Sequence, residues 1–235
     1  MSFDFKFFIE TVKVGLTYLP TTLYISLMPL FLGLIFGTLI AIARMSRCKP
    51  LIYITKYFVV IVRGVPPILM LLVFFLTMTR MFDMVAAALH FPFNSSIIST
   101  QTVVVCALTV IATANFAETV RTSFKSVGYG QMEAAFSIGM TRGTAIRRII
   151  IPQALPVAIP IISNTFISLV KSSSLAYLLT VIDVLNGCKI QADVSYKFLE
   201  AYVAAAVIYY VICFTIEQVA RVLAKKASYY KCAGV

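Results

Sequence analysis

The chain has 235 residues, of which 60% are hydrophobic and only 12% charged, with a mean hydropathy of +0.95 and a formal net charge of +11. A water-soluble globular domain of this length does not tolerate such an apolar excess, so the composition points to a bilayer. The positive charge forms no dense patch interleaved with aromatic residues, which argues against a nucleic-acid surface.

Residues 1–16 carry Asp4, Lys6, Glu10 and Lys13 among Phe3, Phe5, Phe7, Phe8, Ile9 and Val12. These charges break the basic-then-apolar pattern of a cleavable signal. The mixture fits either a short helix lying on the membrane surface or an unstructured tail. A spanning helix needs about 20 apolar residues. Thr17–Ala43, Phe91–Ala117 and Ile149–Val170 are uncharged throughout and meet that length. Tyr57–Thr79 contains Arg63, and the shorter run Ala201–Ile216 is extended by Tyr202, Tyr209 and Tyr210, residues suited to a membrane interface. The expected fold is an all-α membrane protein with five transmembrane helices across 17–224, followed by a basic tail at 225–235.

Orientation follows from the loops. The segments after the first, third and fifth spans hold Arg44, Arg47, Lys49, Lys56, then Arg121, Lys125, Arg142, Arg147, Arg148, then Arg221, Lys225, Lys226 and Lys231. The opposite side holds Lys6, Lys13, Arg80, Lys171, Lys189 and Lys197. The richer side is expected in the cytoplasm, which puts the N-terminus outside and the C-terminus inside.

The largest inner loop, about 121–150, contains most of the polar run "EAAFSIGMTRGTAIRRIIIP", Glu133–Pro152. Gln131–Ile138 reads as a short helix stopped by Gly139, whose freedom at positive φ suits a helix terminus. Thr141 then caps a second helix leading into the membrane. The joint makes a knob with acid at Glu133, small residues at Ala134 and Ala135, and bulky Phe136, Ile138 and Met140. Taken alone, it is equally a plain hairpin without a partner.

Glu133-Ala134-Ala135, then Gly139, then Ile149, Ile151 and Pro152 resemble the EAA signature of ABC importer permeases, with Ile151 where Leu is usual. "RGVPP" (63–67), "NFAETVRTSF" (115–124), "GQMEAA" (130–135), "IPQALPVAIP" (151–160) and "SLVKSSSL" (168–175) are similar to the polar amino acid branch. The likeness runs from about Thr17 to Arg221. "VGYGQ" (127–131) and "KSSSL" (171–175) depart from it, the second lacking an acid that commonly follows the Lys.

The resemblance implies a type I importer fold in a bacterial cytoplasmic membrane, with a cytoplasmic coupling helix and a dimer of such subunits. It implies that Glu133, Ala134, Ala135 and Gly139 seat in an ATPase dimer, and that an extracellular solute-binding protein delivers the cargo. No Gly-x-x-x-x-Gly-Lys-Ser/Thr loop is present, so this chain is not expected to be an enzyme: ATP and Mg belong to the partner ATPase, and no cofactor is expected here. Neither His-Glu-x-x-His nor Gly-x-Ser-x-Gly occurs, so no metal or hydrolase site is expected. The lone His90 reads as a solvated loop residue. An ATP-independent secondary transporter is the rival class, against which stands the lack of an internal repeat.

Glu118 sits at the inner end of the third span, with Asn115 and Arg121 three residues to either side. Either it pairs with Arg121, or it receives the ammonium of an amino acid while Arg63 or Lys171 attracts the carboxylate. Arg63 precedes a Gly-Val-Pro-Pro break that turns backbone groups inward, or else is a helix-end residue reaching for the interface. Lys171 with Ser172 at the outer end of helix four is similarly two-sided. Arg63, Asn115, Glu118, Lys171 and Ser172 are the expected substrate-binding set. Pro152, Pro156 and Pro160 stripe one helix face and predict a broken or bent fourth helix. Cys48, Cys106, Cys188, Cys213 and Cys232 lack paired spacing and read as small apolar fillers. "LLTVIDVL" (178–185) and "YKFLEAYVAAAVIYY" (196–210) are most similar to Gram-positive cystine-type permeases; glutamine or a basic amino acid stays open as cargo.

Overall fold

The computed structural model describes residues 3–46 and 48–232. Arg47, residues 1–2 and 233–235, and the side chains of Tyr129, Tyr229, Tyr230, Lys231 and Cys232 lie outside the described residues. Those described are helical in all but short connections: α1 (Phe5–Thr17), α2 (Leu19–Arg44), α3 (Lys49–Gly64), α4 (Pro67–Ala88), α5 (Thr100–Lys125), α6 (Tyr129–Ser137), α7 (Arg142–Ala145), α8 (Ile151–Ser173), α9 (Val184–Ser195) and α10 (Phe198–Cys232). Five helical runs are long and apolar enough to cross a membrane: α2, α4, α5, the run Arg142–Leu179 and α10 through Ser228.

Four of the five expected spans change their limits. The second does not run through 57–79, because the chain breaks between Gly64 and Pro67. Pro66 and Pro67 offer no N–H, and Pro66 forces Val65 into an extended conformation (φ −96°, ψ 130°). The third begins at Thr100 rather than Phe91, since Pro92 and an Asn94-capped 3-10 turn occupy the approach. It then continues past Ala117 to Lys125, carrying Glu118 and Arg121 within the helix. The fourth is not broken. Its irregularity is a π-helical turn at Ile146–Ile150, which ends just before Pro152 and feeds directly into α8. The fifth lengthens to 31 residues in its membrane-crossing part.

The packing centre is α5. Some 61% of its apolar window is buried, against 6% for α4, which therefore lies at the periphery. Phe116, Leu108, Val104 and Ala112 meet Ile25 of α2, Leu71 of α4 and Leu169 of α8 in one core. The α2–α5 crossing is close. A Cβ added to Gly33 would lie 2.5 Å from Ala112 Cβ, and one added to Gly37 would lie 2.7 Å from Phe116 Cβ and 2.9 Å from two backbone atoms of α5. Small residues one helical turn apart let the two backbones approach this closely.

A second core closes the end of the bundle formed by α1 and α9. Val184 and Cys188 of α9 pack with Ala204 and Ile208 of α10, and α1 covers them with Val12 and Phe8. Asp183 is fully buried there as the N-cap of α9. Its carboxylate accepts from Tyr209 Oη (2.6 Å) and the Asn186 amide (2.9 Å), while the Val184 amide donates to Thr22 Oγ1 (3.1 Å). Burial pushes the Asp183 carboxyl above its usual range. These bonds fix the α8–α10 connection to α2 and α10. The start of α1 is held by Asp4, which caps Phe7 and accepts from Lys197 Nζ (2.6 Å); that ammonium keeps the Asp4 carboxyl below its usual range.

Gly37→Ala is expected to lower the stability of the purified protein by about 1–3 kcal/mol, because rigid backbone rather than a flexible side chain receives the new methyl. Gly143, with nothing within 4 Å of an added Cβ, is the control. Thermal unfolding in detergent reads both, and equal midpoints would show that the crossing is not closely packed.

Candidate functional site

Two places combine irregular backbone with polar side chains. The first is a cavity of about 260 Å³ where the α3–α4 break faces the middle of α5 and the C-terminal half of α8. Arg63 comes from the last turn of α3, Asn115 from α5, and Thr165, Ser168 and Ser172 from α8. The three hydroxyl residues at i, i+3 and i+7 share one helix face. Val62, Ile111 and Leu169 supply the apolar wall. Arg63 forms no ion pair among the described residues.

Three of the five residues expected to bind substrate therefore meet: Arg63, Asn115 and Ser172. The other two do not line this cavity. Glu118 lies one turn inward from Asn115, where its carboxylate accepts from Arg44 Nη1 at 2.9 Å and from Arg121 Nε and Nη2. All three side chains are largely enclosed, with exposures of 13%, 21% and 27% for Arg44, Glu118 and Arg121. The carboxylate's hydrogen-bonding directions are thus taken by two guanidinium groups. Lys171 opens into a separate groove between α8 and α10, beside Tyr209, Tyr210 and Cys213.

The sequence reading missed Arg44 as a partner of Glu118, treating it as one more loop charge; its position 74 residues away leaves no local signal. Thr165 and Ser168 were missed too, although their spacing with Ser172 was there to read.

The second place is the inner loop. α6 ends at Gly139, which adopts φ +78°, and Thr141 caps α7 by accepting from the Thr144 amide. Glu133, Ala134, Phe136, Ser137 and Ile138 face outward, with Phe136 49% and Ile138 72% exposed. Ala135 turns the other way and is 1% exposed, packed within the loop itself. Gln153 Nε2 donates to Gln131 Oε1 at 3.2 Å, tying α6 to the first turn of α8. His90 is exposed in the loop after α4, at φ 53°.

A bundle of five membrane helices, a chain break between α3 and α4 and an angular helical joint between α5 and α8 suit a transport subunit. Comparison with known proteins gives the same class. The family described as binding-protein-dependent transport system inner membrane component matches residues 33–229. The probable amino-acid ABC transporter permease protein PatM of Vibrio harveyi is 32% identical over 210 residues, covering 89% of this chain and 90% of that protein. The L-cystine transport system permease protein TcyB of Bacillus subtilis is 34% identical over 210 residues, covering 89% and 84%. A solved structure described as an amino acid ABC transporter with histidines superposes with a TM-score of 0.81 at 28% identity, covering 96% of this chain and 100% of that one.

The chain belongs to the family of binding-protein-dependent inner membrane transport components. It is a multi-pass inner-membrane permease subunit of an ABC importer for polar amino acids, and ATP hydrolysis sits on a separate subunit. An ATPase and a binding protein are the partners this family implies.

Glu118→Gln should destabilise the assembled permease by about 1–3 kcal/mol, since it leaves two partly enclosed guanidinium groups short of a counter-charge, a cost reduced by their residual exposure. Adding Arg121→Gln should recover part of that loss. A thermal melt of the three proteins decides it; an unchanged midpoint in the single variant would mean that the carboxylate is not structurally committed.

Proposed function

We propose that this permease carries its amino acid through the cavity at the α3–α4 break, with Arg63, Asn115 and Ser172 as contact residues and L-cystine as the first candidate cargo. The observation that carries the reading is the convergence of an unpaired guanidinium, an amide and a hydroxyl face at an interrupted membrane helix. Such interruptions are where transporters expose backbone groups to polar cargo. Likeness to a cystine permease supports the choice of cargo. Glu118 and Lys171 stand outside the contact set in this proposal: one is neutralised by two arginines, the other opens elsewhere.

The outward face of α6 is the coupling surface, seated in a cleft of the ATPase, which supplies ATP and Mg chemistry. Two permease subunits and two ATPases form the working assembly, with the N-terminus outside. The test of cargo is uptake of labelled cystine, glutamine and arginine by vesicles containing permease, ATPase and binding protein. Uptake of another amino acid without cystine would overturn the cystine assignment.

Two further outcomes follow from this arrangement. Ala134→Arg places a long cation on the exposed face of α6 and should reduce copurification with the ATPase at least about tenfold, while insertion and folding persist. Normal copurification would remove α6 from the interface. Single cysteines at Ser137 and Asn94 should be labelled from the inside and the outside of intact cells, respectively; the reverse pattern would invert the orientation.

A further inference from the structure

The cavity has a charge of one sign. Among the described residues, Arg63 is the one ionisable side chain lining it; the rest of the polar lining is the Asn115 amide and the hydroxyls of Thr165, Ser168 and Ser172. The nearest carboxylate along α5, Glu118, is held by Arg44 and Arg121 and does not line the cavity. We infer that the cavity selects amino acids by charge, admitting zwitterions with uncharged or acidic side chains and rejecting lysine, arginine and other cationic side chains. This inference rests on the reading of the cavity as the substrate site.

The physical reason is an imbalance of partners. An amino acid brings a carboxylate and an ammonium, and Arg63 provides a forked donor set for the carboxylate. The ammonium finds neutral acceptors: the Asn115 carbonyl, the hydroxyl oxygens, and the carbonyls that end α3 at Gly64, which no backbone amide caps among the described residues. Those acceptors suffice for one ammonium whose own carboxylate lies beside it. A second cation on the side chain would have no counter-charge among the lining residues and would lie beside Arg63, and like charges brought together disfavour one another. A side-chain amide, hydroxyl or carboxylate meets the Ser168 and Ser172 hydroxyls, which both donate and accept, and the Thr165 hydroxyl, which accepts while donating to the Ile161 carbonyl (3.0 Å).

Binding to the permease–ATPase assembly in nanodiscs, without binding protein, isolates this step from the selection made before delivery. The probes are radiolabelled L-glutamine and L-arginine, whose side chains are both extended and polar but differ in charge. L-Glutamine should bind the wild-type assembly at least about tenfold more tightly than L-arginine. Ser172→Asp, which adds a carboxylate to the lining, should shift the ratio towards L-arginine by about tenfold or more, whereas Ser172→Asn, polar but uncharged, should leave it within about twofold. Equal wild-type affinities, or an equal shift from both substitutions, would overturn charge selection. Arg63→Gln separates the two claims, with assembly on the ATPase confirming the fold. If it weakens both ligands while the wild type binds them equally, the site stands and only charge selection fails. If it changes neither, or if the wild type binds neither, the cavity is not the substrate site and both fail.

Discussion

The close approach of α2 and α5 sets most of what the permease does with its charges. With no side chain at Gly33 and Gly37, the two helices touch through backbone, the Ala112 methyl and the Cβ and ring edge of Phe116. That contact leaves Arg44, the last residue of α2, opposite Glu118 of α5. A carboxylate inside a membrane helix is costly unless neutralised. Here two guanidinium groups from different directions neutralise it, so α5 remains helical across Glu118 and Arg121 instead of ending before them. The crossing and the ion triad are parts of one arrangement: loosening the first moves the partners of the second.

The same helix displays the opposite treatment of polarity one turn further out. Asn115 faces a cavity where a guanidinium, Arg63, is left without a counter-charge among the described residues. A structural ion cluster is closed by its own partners, whereas a transport site must keep partners open for cargo. Glu118 and Arg63 look alike in sequence, as charges in apolar surroundings, and differ in the structure because only Glu118 has ion partners among the described residues.

That difference explains what was legible. The five spans were visible because hydropathy is a property of each segment by itself. The α6–α7 joint was visible because Gly139 and Thr141 signal helix ends locally. Span limits were displaced where a charge was read as an ending: Glu118 appeared to close the third helix, since the arginine that cancels it lies 74 residues upstream. The Pro66–Pro67 pair was noticed as a break but kept inside a span, because an apolar run conceals the point at which backbone hydrogen bonding fails. The burial of Ala135 beside an exposed Ala134 was also beyond reach, as both are small residues on a helix whose inward face is set by packing against the rest of the loop.

α8 is the element through which the inner loop and the cavity share a mechanical fate. Its first turn is tied to α6 by Gln153 and Gln131, and its far half carries Thr165, Ser168 and Ser172. Twelve residues separate Gln153 from Thr165, roughly 18 Å along a helix. Between them stand Pro156 and Pro160, each removing one backbone donor, and just before them lies the π-helical turn. An uninterrupted helix would pass any tilt of its base to its tip unchanged. The missing donors thin the hydrogen-bond ladder between the base of the helix and its hydroxyl face. The proline stripe thus lies on the helix that carries both the Gln153–Gln131 tie and the hydroxyl wall of the cavity.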